Sequence, residues 1–351
     1  MKKAIIAMSG GVDSAAAAYL TKQLNIEVSG ATIRTGDFSC NGAKNSDTES
    51  YLANARSLAN FFDIDHTIVD LSDLFQKYVV SNFINSYLCG LTPNPCIECN
   101  RHIKFGALLD YAIENGADTL VTGHYADIKK LDHRYLLCRA RDESKDQSYV
   151  LWSLTQKQLS HIYFPLARYL KSEVYDLALS IGFINRKNKE SQDICFIPNG
   201  DYAAFIERQS GVTSPIGNFI DTNGNIIGKH KGIIHYTIGQ RKGLGLSLGE
   251  PVFVSAKDAK NNTVTICRGP ELFKRRLTAH SINLIACDSL PVQTAVTAKI
   301  RYNQKAEPAY VIQTAEDEIT VEFDSPQRAI SPGQSVVLYD GNTVIGGGII
   351  N

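Results

Sequence analysis

Short apolar runs alternate with longer helical patterns over the first 125 residues of the chain. The apolar runs predict strands at residues 4–8, 28–33, 66–69 and 119–121. Between them, apolar positions recur at helical spacing and predict helices at residues 15–24, 48–62, 71–88 and 103–115. Strands that alternate with helices are typical of an α/β domain, in which a parallel sheet carries helices on both faces.

The pattern changes twice in the remainder of the chain. Residues 134–138 predict a hairpin, and helical patterns follow near residues 155–160 and 171–181. From residue 216 onwards, β-branched alternation between Gly, Pro and Asn-Gly turns predicts strands at residues 263–267, 295–300, 309–312 and 319–323. The polar stretch at residues 274–276 and Pro291 favour a boundary near residue 275. We therefore expect three domains, at residues 1–200, 201–275 and 276–351.

The composition is that of a globular protein, with 36 basic and 36 acidic side chains among 351 residues. No apolar run is long enough to predict a membrane span, and the start of the chain does not resemble a signal peptide, so we expect a cytoplasmic protein. Eight cysteines are too sparse for a secreted disulfide scaffold. Because the net charge is zero, any binding of RNA must depend on local basic patches.

The first predicted strand runs into the sequence SGGVDS at residues 9–14, and a helical pattern follows. Glycines let the backbone approach a phosphate, while free amides and the positive end of the helix dipole favour an anion. Ser9 and Ser14 add hydroxyl donors. The Walker sequence GxxxxGK[ST] is absent from the chain, which disfavours a lysine-assisted transfer of the γ-phosphate. The alternative to a pyrophosphate site is a tight turn between strand and helix.

This hexad resembles the PP-loop of the N-type ATP pyrophosphatases, which cleave ATP between the α- and β-phosphates and adenylate a substrate oxygen. The resemblance implies that the chain uses ATP and releases pyrophosphate, but it leaves the acceptor open. Asp13 would hold the Mg²⁺ that neutralises the leaving pyrophosphate, since this cation prefers carboxylate oxygens.

Cys96 and Cys99 lie in the proline-stiffened sequence TPNPCIECN, close to the start of a predicted helix. The helix dipole and the charges of Arg101 and Lys104 are expected to lower a thiol pKa and to favour the nucleophilic thiolate. Cys195, in the sequence SQDICFI, is a third candidate. The chain therefore offers three thiols for nucleophilic chemistry.

Other interpretations of the cysteines exist. Cys-x-x-Cys is half of a tetrahedral zinc site, although no second pair with this spacing follows. A thioredoxin-like dithiol is a further alternative, but the surrounding pattern is that of a nucleotide-binding fold. The remaining cysteines lack polar motif context and are expected to be small apolar packing residues: Cys40, Cys89, Cys138, Cys267 and Cys287.

Six motifs occur in one order and span nearly the whole chain. They are SGGVDS at residues 9–14, TPNPxxxCNRxIKF at 92–105, TGHY at 122–125, KDQSY at 145–149, DICFI at 193–197 and HYTIGQRKGLG at 235–245. Together they resemble the tRNA-specific 2-thiouridylase family, which makes 2-thiouridine at the wobble position of certain tRNAs. The resemblance implies a parallel-sheet PP-loop domain of the adenine nucleotide alpha hydrolase-like type, followed by two small, mostly β domains, the last a β-barrel.

The resemblance also implies functional residues. The ATP site would comprise Ala7, Met8, Ser9, Gly10, Gly11, Val12, Asp13 and Ser14, with Ile33 and Gly123 beside the adenosine. The target base would meet Asn94, Pro95 and Cys96. Cys195 would carry a persulfide, and Cys99 would be the nucleophile that resolves it. The contacts with tRNA would come from His124, Lys145, Asp146, Gln147, Arg301, Tyr302 and Gln334.

One departure from the family pattern leaves the sulfur chemistry open. Many members have Asp where this chain has Cys96, so Cys96, Cys99 and Cys195 could hold a [4Fe–4S] cluster with one open iron. The alternative is a cluster-free pair of Cys99 and Cys195. The number of thiolates alone does not choose between the two.

The implied reaction requires several partners. ATP would adenylate the oxygen on carbon 2 of a uracil, and the persulfide would deliver sulfur to the same carbon. The substrate is a tRNA with a wobble uridine, whose unpaired loop exposes the base. A sulfur donor or relay protein, a cysteine desulfurase and a reductant are also implied. Basic clusters at residues 129–130, 139–141, 241–242 and 274–276 could hold RNA, although each alone is also typical of a solvated face.

Two rival functions are compatible with parts of the sequence. Another PP-loop enzyme could adenylate a small carboxylate or amide, but it would not need separated reactive cysteines or a β-rich half that reaches RNA. A non-catalytic RNA-binding module with a relict nucleotide pocket would not need an intact loop, and Ser9, Asp13, Ser14, Cys99 and Cys195 are all present.

Overall fold

The computed structural model describes residues 1–38, 46–183, 194–197 and 200–351. Cys40 and the first residue of the motif DICFI, Asp193, lie outside the described residues. The chain divides into two compact units. The first comprises Met1–Val79, Cys96–Pro198 and Asn342–Ile345, and the second comprises Val80–Pro95, Asn199–Gly341 and Gly346–Asn351.

The first unit is built on a parallel sheet. The strands in this part of the chain are β1 (Lys3–Ala7), β2 (Glu27–Arg34), β3 (His66–Asp70), β4 (Thr119–Val121), β5 (Ala126–Leu131), β6 (Arg134–Arg139) and β7 (Ile162–Tyr163). The sheet has the order β3-β2-β1-β4-β7, and all of these neighbours pair in parallel. β5 and β6 form an antiparallel hairpin where the sequence predicts one. The expected α/β class is confirmed.

Helices connect these strands. Those between the first strand and residue 180 are α1 (Val12–Lys22), α2 (Ser46–Phe61), α3 (Ser72–Phe75), α4 (Ser81–Leu88), α5 (Pro95–Glu98), α6 (Leu108–Glu114), α7 (Gln156–Leu159) and α8 (Lys171–Ser180). α4 belongs to the second unit. No helix in the described ranges has both the length and the apolar character needed to cross a bilayer.

Small apolar residues let α1 lie close to the sheet. The alanines at positions 15–18 are all fully buried. Ala15 and Ala18 pack with Ile6 of β1 and with Leu58 of α2 in one apolar cluster. Because alanine is both short and the best helix former, this run can form a helix and still allow a close approach. The packing fixes the start of α1 at the end of β1.

Two predicted helices differ from the structure in their winding. The helix predicted at residues 71–88 is α3 followed by a π-helical segment, Gln76–Val80, and then α4. The helix predicted at residues 103–115 starts earlier, with α5, continues as the π-helical segment Cys99–Ala107, and ends as α6. Hydrophobic periodicity cannot separate α-helical from π-helical turns over so few residues, so the sequence did not show this.

The second unit contains a mixed sheet. Its strands are β8 (Gly217–Ile220), β9 (Ile226–His230), β10 (Val252–Asp258) and β11 (Thr263–Arg268), in the order β10-β11-β8-β9. α9 (Tyr202–Ser210) precedes them and was not predicted. Its N-cap is Asp201, whose carboxylate accepts from the Ala204 amide at 3.0 Å. β7 was missed as well, because its two residues are too short to show a period.

A β-barrel forms the C-terminal part of the second unit. Its strands are β12 (Phe273–Leu284), β13 (Thr294–Lys299), β14 (Glu307–Ala315), β15 (Glu318–Arg328), β16 (Ser335–Asp340) and β17 (Thr343–Ile350), of which the last belongs to this unit from Gly346 onwards. They follow the order β12-β15-β14-β13-β16-β17, and pairing of β12 with residues 346–350 of β17 closes the barrel. The expected final β-barrel is confirmed.

The core of the first unit yields a prediction about stability. Ile6 of β1 is fully buried, so Ile6→Ala removes buried methyl groups and should lower the free energy of unfolding of this unit by about 2–5 kcal/mol. Trp152, the single tryptophan of the chain, is buried in the same unit, so its fluorescence in urea reports on this transition.

The same substitution at an exposed site of the unit provides the control. Ile113 on α6 is 37% exposed, and Ile113→Ala should cost less than about 1 kcal/mol. Equal losses in the two variants would contradict the placement of Ile6 in the core.

Candidate active site

The glycine loop connects β1 to α1, as the sequence predicts. Gly11 is the N-cap of α1, and no side chain of the described residues caps the amides of the first turn. Such amides, together with the helix dipole, favour an anion. Ser14 Oγ donates to the Gly11 carbonyl at 2.9 Å, and Ser9 Oγ lies 3.3 Å from Ser14 Oγ. The loop therefore presents amides and hydroxyls together, as a pyrophosphate site requires.

Gly10 holds this loop against α2. Its φ is +74°, a left-handed conformation that other residues rarely adopt. A β-carbon at this position would lie 2.5 Å from Asn54 Cβ and 2.6 Å from the Asn54 carbonyl carbon. Both the backbone conformation and the close packing therefore require glycine here.

The carboxyl edge of the sheet supplies the neighbours of the loop. Thr32 Oγ1 donates to the Met8 carbonyl at 2.7 Å and ties the end of β1 to β2, where Ile33 follows. On the other side, the backbone of Gly123 is so close that a β-carbon would lie 2.9 Å from the Asp13 carbonyl carbon. The two residues expected beside the adenosine thus belong to segments that flank the loop.

Lys171, which the sequence analysis did not identify, pairs with Asp13. Its Nζ lies 2.8 Å from both carboxylate oxygens, and its side chain is only 19% exposed. Tyr125 Oη donates to Asp13 Oδ1 at 2.8 Å. Lys171 is 158 positions away from Asp13 in the chain, so no local pattern connects them. The loop has a cation beside it although the Walker lysine is absent.

The three candidate thiols all belong to the first unit. Cys96 is the second residue of α5, and Cys99 begins the second π-helical segment. Cys195 is placed by Phe196, whose buried ring packs edge-on against Phe75 with centroids 5.6 Å apart. Cys96 and Cys195 reach solvent, whereas Cys99 is partly buried. The charges of Cys195 and Cys96 both raise the pKa of Cys99, so the three thiols act on one another electrostatically.

The expectation that the site lowers the thiol pKa is wrong. Burial raises the pKa of Cys99 to about 12 and also raises the pKa values of Cys96 and Cys195. Lys104 opposes this rise at each thiol, but the loss of hydration outweighs its charge. Arg101 is exposed to solvent, and α5 precedes Cys99, so Cys99 is not at the amino end of the helix.

A buried histidine orients Lys104. Lys104 Nζ lies 3.4 Å from His124 Nε2, and His124 Nδ1 lies 2.7 Å from Thr122 Oγ1. Because an ammonium group can only donate, Nε2 accepts, and the proton of the imidazole is on Nδ1, which donates to Thr122. Burial, assisted by the charge of Lys104, lowers the pKa of His124 well below its usual value. His124 is therefore a neutral acceptor for this ammonium group.

The π-helical winding accounts for the position of Lys104. Cys99 and Lys104 are five residues apart within the segment Cys99–Ala107. A π-helical turn closes with a hydrogen bond between residues five apart, so their side chains become neighbours across one turn. In an α-helix, the neighbours of Cys99 would be the residues three and four positions away.

The segment Thr122–Tyr125 connects the glycine loop with the thiols. Gly123 packs against the Asp13 backbone, and Tyr125 donates to the Asp13 carboxylate. His124, between them, accepts from Lys104, the cation that acts on all three thiols. One short segment thus touches the nucleotide loop and the lysine whose charge acts on the three thiols.

Three residues expected to contact tRNA follow β6. Asp146 is buried and accepts from Ser148 Oγ at 2.7 Å, and Gln147 Oε1 accepts from the Tyr125 amide at 2.9 Å. Asp146 also accepts from the Ala140 amide at 3.1 Å, so both side chains bind local backbone. Lys145 is partly exposed. Their contacts with tRNA stay predictions, as does that of His124, which is 8% exposed.

The other residues expected to meet RNA lie in the second unit: Asn94, Pro95, Arg301, Tyr302 and Gln334. Arg301 donates to the Ala329 carbonyl, and Lys299 lies 5.9 Å from the ring centroid of Tyr302. Gln334 Nε2 donates to the Thr92 carbonyl at 2.7 Å. These placements leave the predicted RNA contacts untested.

The described residues do not provide a ready metal site. No group of three His, Cys, Asp or Glu side chains among them is arranged to hold a metal ion. The three thiols are thus not arranged as a metal-ligand group in this structure, and the [4Fe–4S] cluster stays a prediction. At Asp13, the expected Mg²⁺ ligand, the ammonium group of Lys171 holds both carboxylate oxygens.

The cysteines expected to be packing residues differ in their exposure to solvent. Cys138 and Cys267 are buried, as predicted, and Cys287 is partly buried. Cys89 is exposed, so the prediction is wrong for this residue, which lies just after the last turn of α4.

Family models match the chain in three consecutive parts. Residues 2–199 match the tRNA methyl transferase HUP domain, and residues 203–268 match the tRNA methyl transferase PRC-barrel domain. Residues 274–350 match the aminomethyltransferase beta-barrel domain.

Full-length relatives are similar as well. A tRNA-specific 2-thiouridylase MnmA from Clostridium botulinum is 44% identical over 358 residues, which cover 99% of this chain and 98% of that protein. A tRNA-specific 2-thiouridylase MnmA 2 from Thermoanaerobacter sp. is 46% identical over 357 residues, which cover 98% of this chain and 96% of that protein. A solved 4-thiouridine synthetase–RNA complex with bound ATP is a distant likeness, with a TM-score of 0.35 and 20% identity over 59% of this chain and 50% of that chain.

The likeness to the two bacterial relatives extends over nearly the whole of each chain, well beyond the glycine loop. The chain belongs to the tRNA-specific 2-thiouridylase family.

Proposed function

We propose that this protein makes 2-thiouridine at the wobble position of tRNA, with consumption of ATP and release of AMP and pyrophosphate. The observation that carries the proposal is the segment Thr122–Tyr125, which touches both the pyrophosphate loop and the cation beside the three thiols. Of the two activities named in the comparisons, methyl transfer and thiolation, the gathered thiols favour thiolation. The full-length relatives support the same activity.

The first half of the reaction is adenylation. The oxygen on carbon 2 of the uracil attacks the α-phosphate of ATP, the bond between the α- and β-phosphates breaks, and pyrophosphate leaves. The free amides at the start of α1 and the hydroxyl groups of Ser9 and Ser14 bind the pyrophosphate part. Lys171 adds a positive charge where negative charge accumulates on the leaving group.

The second half is transfer of sulfur from a persulfide on Cys195. The terminal sulfur bonds to carbon 2, the carbon–oxygen bond to AMP breaks, and AMP leaves. Cys99 then attacks the Sγ atom of Cys195, the bond between that atom and the transferred sulfur breaks, and 2-thiouridine leaves. The Cys99–Cys195 disulfide that forms is reduced by an external dithiol. In the alternative order, Cys99 attacks the persulfide first and releases hydrosulfide, which attacks carbon 2. Both orders require Cys195 to be loaded and Cys99 to be a nucleophile.

The charges around Cys99 determine how it reacts. Burial keeps its thiol protonated at neutral pH, which protects it from unwanted oxidation between turnovers. Lys104 stabilises the anionic sulfur when it forms, and His124 keeps the ammonium group oriented. The site thus forms the thiolate during the reaction and does not hold it ready.

The proposal includes partners and a location. A sulfur donor or relay protein and a cysteine desulfurase load Cys195, and the reaction takes place in the cytoplasm, where tRNA is available. Mg²⁺ would accompany ATP, with Asp13 as its carboxylate ligand. Asn94, Pro95 and Cys96 would meet the base.

The tRNA would be held by His124, Lys145, Asp146, Gln147, Arg301 and Tyr302. We also propose domain boundaries near residues 200 and 275, and the ranges matched by the three family models support them.

The persulfide can be tested at Cys195. Cys195→Ser should abolish 2-thiouridine formation, because no sulfur can be carried, whereas the Kd for ATP should change less than about twofold, since the glycine loop is intact. Mass spectrometry of tRNA nucleosides and equilibrium dialysis measure the two quantities. Cys89→Ser, at an exposed cysteine of the second unit, is the control and should remain active. Retained thiolation in Cys195→Ser would exclude the persulfide at this residue.

Lys171 can be tested through pyrophosphate release. Lys171→Met should slow release on the order of 10- to 100-fold, because it removes a charge-assisted contact worth about 1.5–3 kcal/mol. Lys157→Met, at an exposed lysine of α7, should release pyrophosphate at the parental rate. If Lys171 and Asp13 act as a pair, adding Asp13→Asn to Lys171→Met should cost much less than it does alone. Full additivity would instead show that the two residues act separately.

Cys96 separates the persulfide mechanism from a cluster mechanism. Because the described thiols do not form a metal-ligand group, Cys96→Ala should retain thiolation within about threefold, since its thiol lies beside the reacting sulfurs without taking part. Iron and acid-labile sulfide are measured in anaerobically purified wild type and variant. Stoichiometric iron in the wild type, lost with activity in Cys96→Ala, would favour the cluster.

A further inference from the structure

The segment just before the base-binding residues is anchored to the barrel. The Thr92 amide donates to the Pro332 carbonyl at 2.9 Å, and Gln334 Nε2 donates to the Thr92 carbonyl at 2.7 Å. Both backbone polar groups of Thr92 are thus bound by residues that immediately precede β16. All of these residues lie in the second unit.

Gly333 allows this close approach. Its φ is +88°, and a β-carbon there would lie 2.9 Å from both Leu91 Cβ and the Thr92 amide nitrogen. A side chain of any size would push Leu91 and Thr92 away from their hydrogen-bonding partners. The barrel therefore meets the segment through the one residue type that leaves room for it.

A lysine of β10 binds the same segment from the mixed sheet. Lys257 Nζ lies 3.0 Å from the Tyr236 carbonyl, 3.4 Å from the Leu91 carbonyl and 5.5 Å from the Tyr87 ring centroid. Burial lowers the pKa of Lys257 to about 8, so its amine is still mostly protonated at neutral pH. Burial of a charged group is unfavourable unless the group is well paired, and here carbonyl oxygens and an aromatic face pair it.

The sequence between this anchor and Cys96 is stiff. Pro93 and Pro95 have fixed φ angles, and Thr92 and Asn94 each precede a proline, which restricts both to extended conformations. Few backbone torsions between Thr92 and Pro95 remain free to change. The orientation of Thr92 therefore largely sets the orientation of Asn94.

We propose that Lys257, Gly333 and Gln334 are positioning residues, which hold Leu91 and Thr92 so that the stiff segment presents Asn94 and Pro95 to the target base. The inference rests on the proposed tRNA thiolation. Gln334, expected to contact tRNA, acts in this account through the Thr92 carbonyl.

Gly333→Ala tests the anchor, and Gly341→Ala is its matched control. Both glycines have a positive φ, but a β-carbon at Gly341 meets nothing within 4 Å. With saturating tRNA and ATP, the single-turnover rate of 2-thiouridine formation should fall about 10- to 100-fold in Gly333→Ala. The reason is that displacing a reacting group by about 1 Å can slow a reaction by this factor. The Kd for tRNA should change less than about twofold, and Gly341→Ala should keep the parental rate.

Lys257 provides an independent test. Lys257→Met keeps the length of the side chain but removes its donors, and it should lower kcat about tenfold while the KM for tRNA stays within twofold. Lys257→Arg, which restores a cation with several donors, should recover most of the loss. Thermal unfolding of each variant establishes that the protein is folded.

Hydrogen exchange tests the anchor without any activity assay. Since prolines carry no amide hydrogen, exchange within residues 91–95 reports on Leu91, Thr92 and Asn94 alone. The Thr92 amide should exchange several-fold faster in Gly333→Ala than in Gly341→Ala. If wild type makes no 2-thiouridine but this difference is found, the proposed function fails and the anchor stands.

The positioning role is overturned by any of three results. These are equal rates and equal exchange in Gly333→Ala and Gly341→Ala, a parental kcat in Lys257→Met, or a Gln334→Glu variant whose Kd for tRNA rises by the same factor as its rate falls. The last result would identify Gln334 as a direct tRNA contact.

Discussion

The pairing of β1 with β4 is the constraint on which the site depends. In the parallel sheet Ile6 lies beside Val121, so both strands end at the same edge and their following segments leave it side by side. The glycine loop follows β1, and Thr122–Tyr125 follows β4. This adjacency brings Gly123 against Asp13. Without it, the segment that binds Lys104 would not lie against the nucleotide loop.

Burial, and not charge, dominates the pKa of Cys99. A lysine and a helix start suggest a thiolate when they are seen in sequence, but the gain from one ammonium group is smaller than the cost of removing a charged sulfur from water. Lys104 reduces that cost at Cys99 without removing it. A thiol that is protonated at rest and stabilised when it ionises suits the role proposed for Cys99, which would react only after sulfur has been delivered.

The segment that contains Thr92 and both prolines, in the second unit, is positioned by restriction of its backbone and depends little on ionisable side chains. Prolines at positions 93 and 95 reduce the number of free torsions, and hydrogen bonds to both polar groups of Thr92 fix one end of the segment. Lys257 adds a buried cation bound to the Leu91 carbonyl. If the segment binds the base as proposed, its restricted backbone reduces the entropy lost on binding.

The sequence by itself determined the α/β class, the hairpin at β5 and β6, the β-rich half and the glycine loop, because each depends on a local pattern of apolar residues, turns or glycines. It also identified the thiols from their motifs, although their roles remain predictions. Only the tertiary structure decided the pairing of Lys171 with Asp13, the raised pKa of Cys99 and the anchor at Thr92. The sequence could not predict these three features for one physical reason. Each depends on the distance between residues far apart in the chain or on their burial, and a linear pattern of residues gives neither quantity.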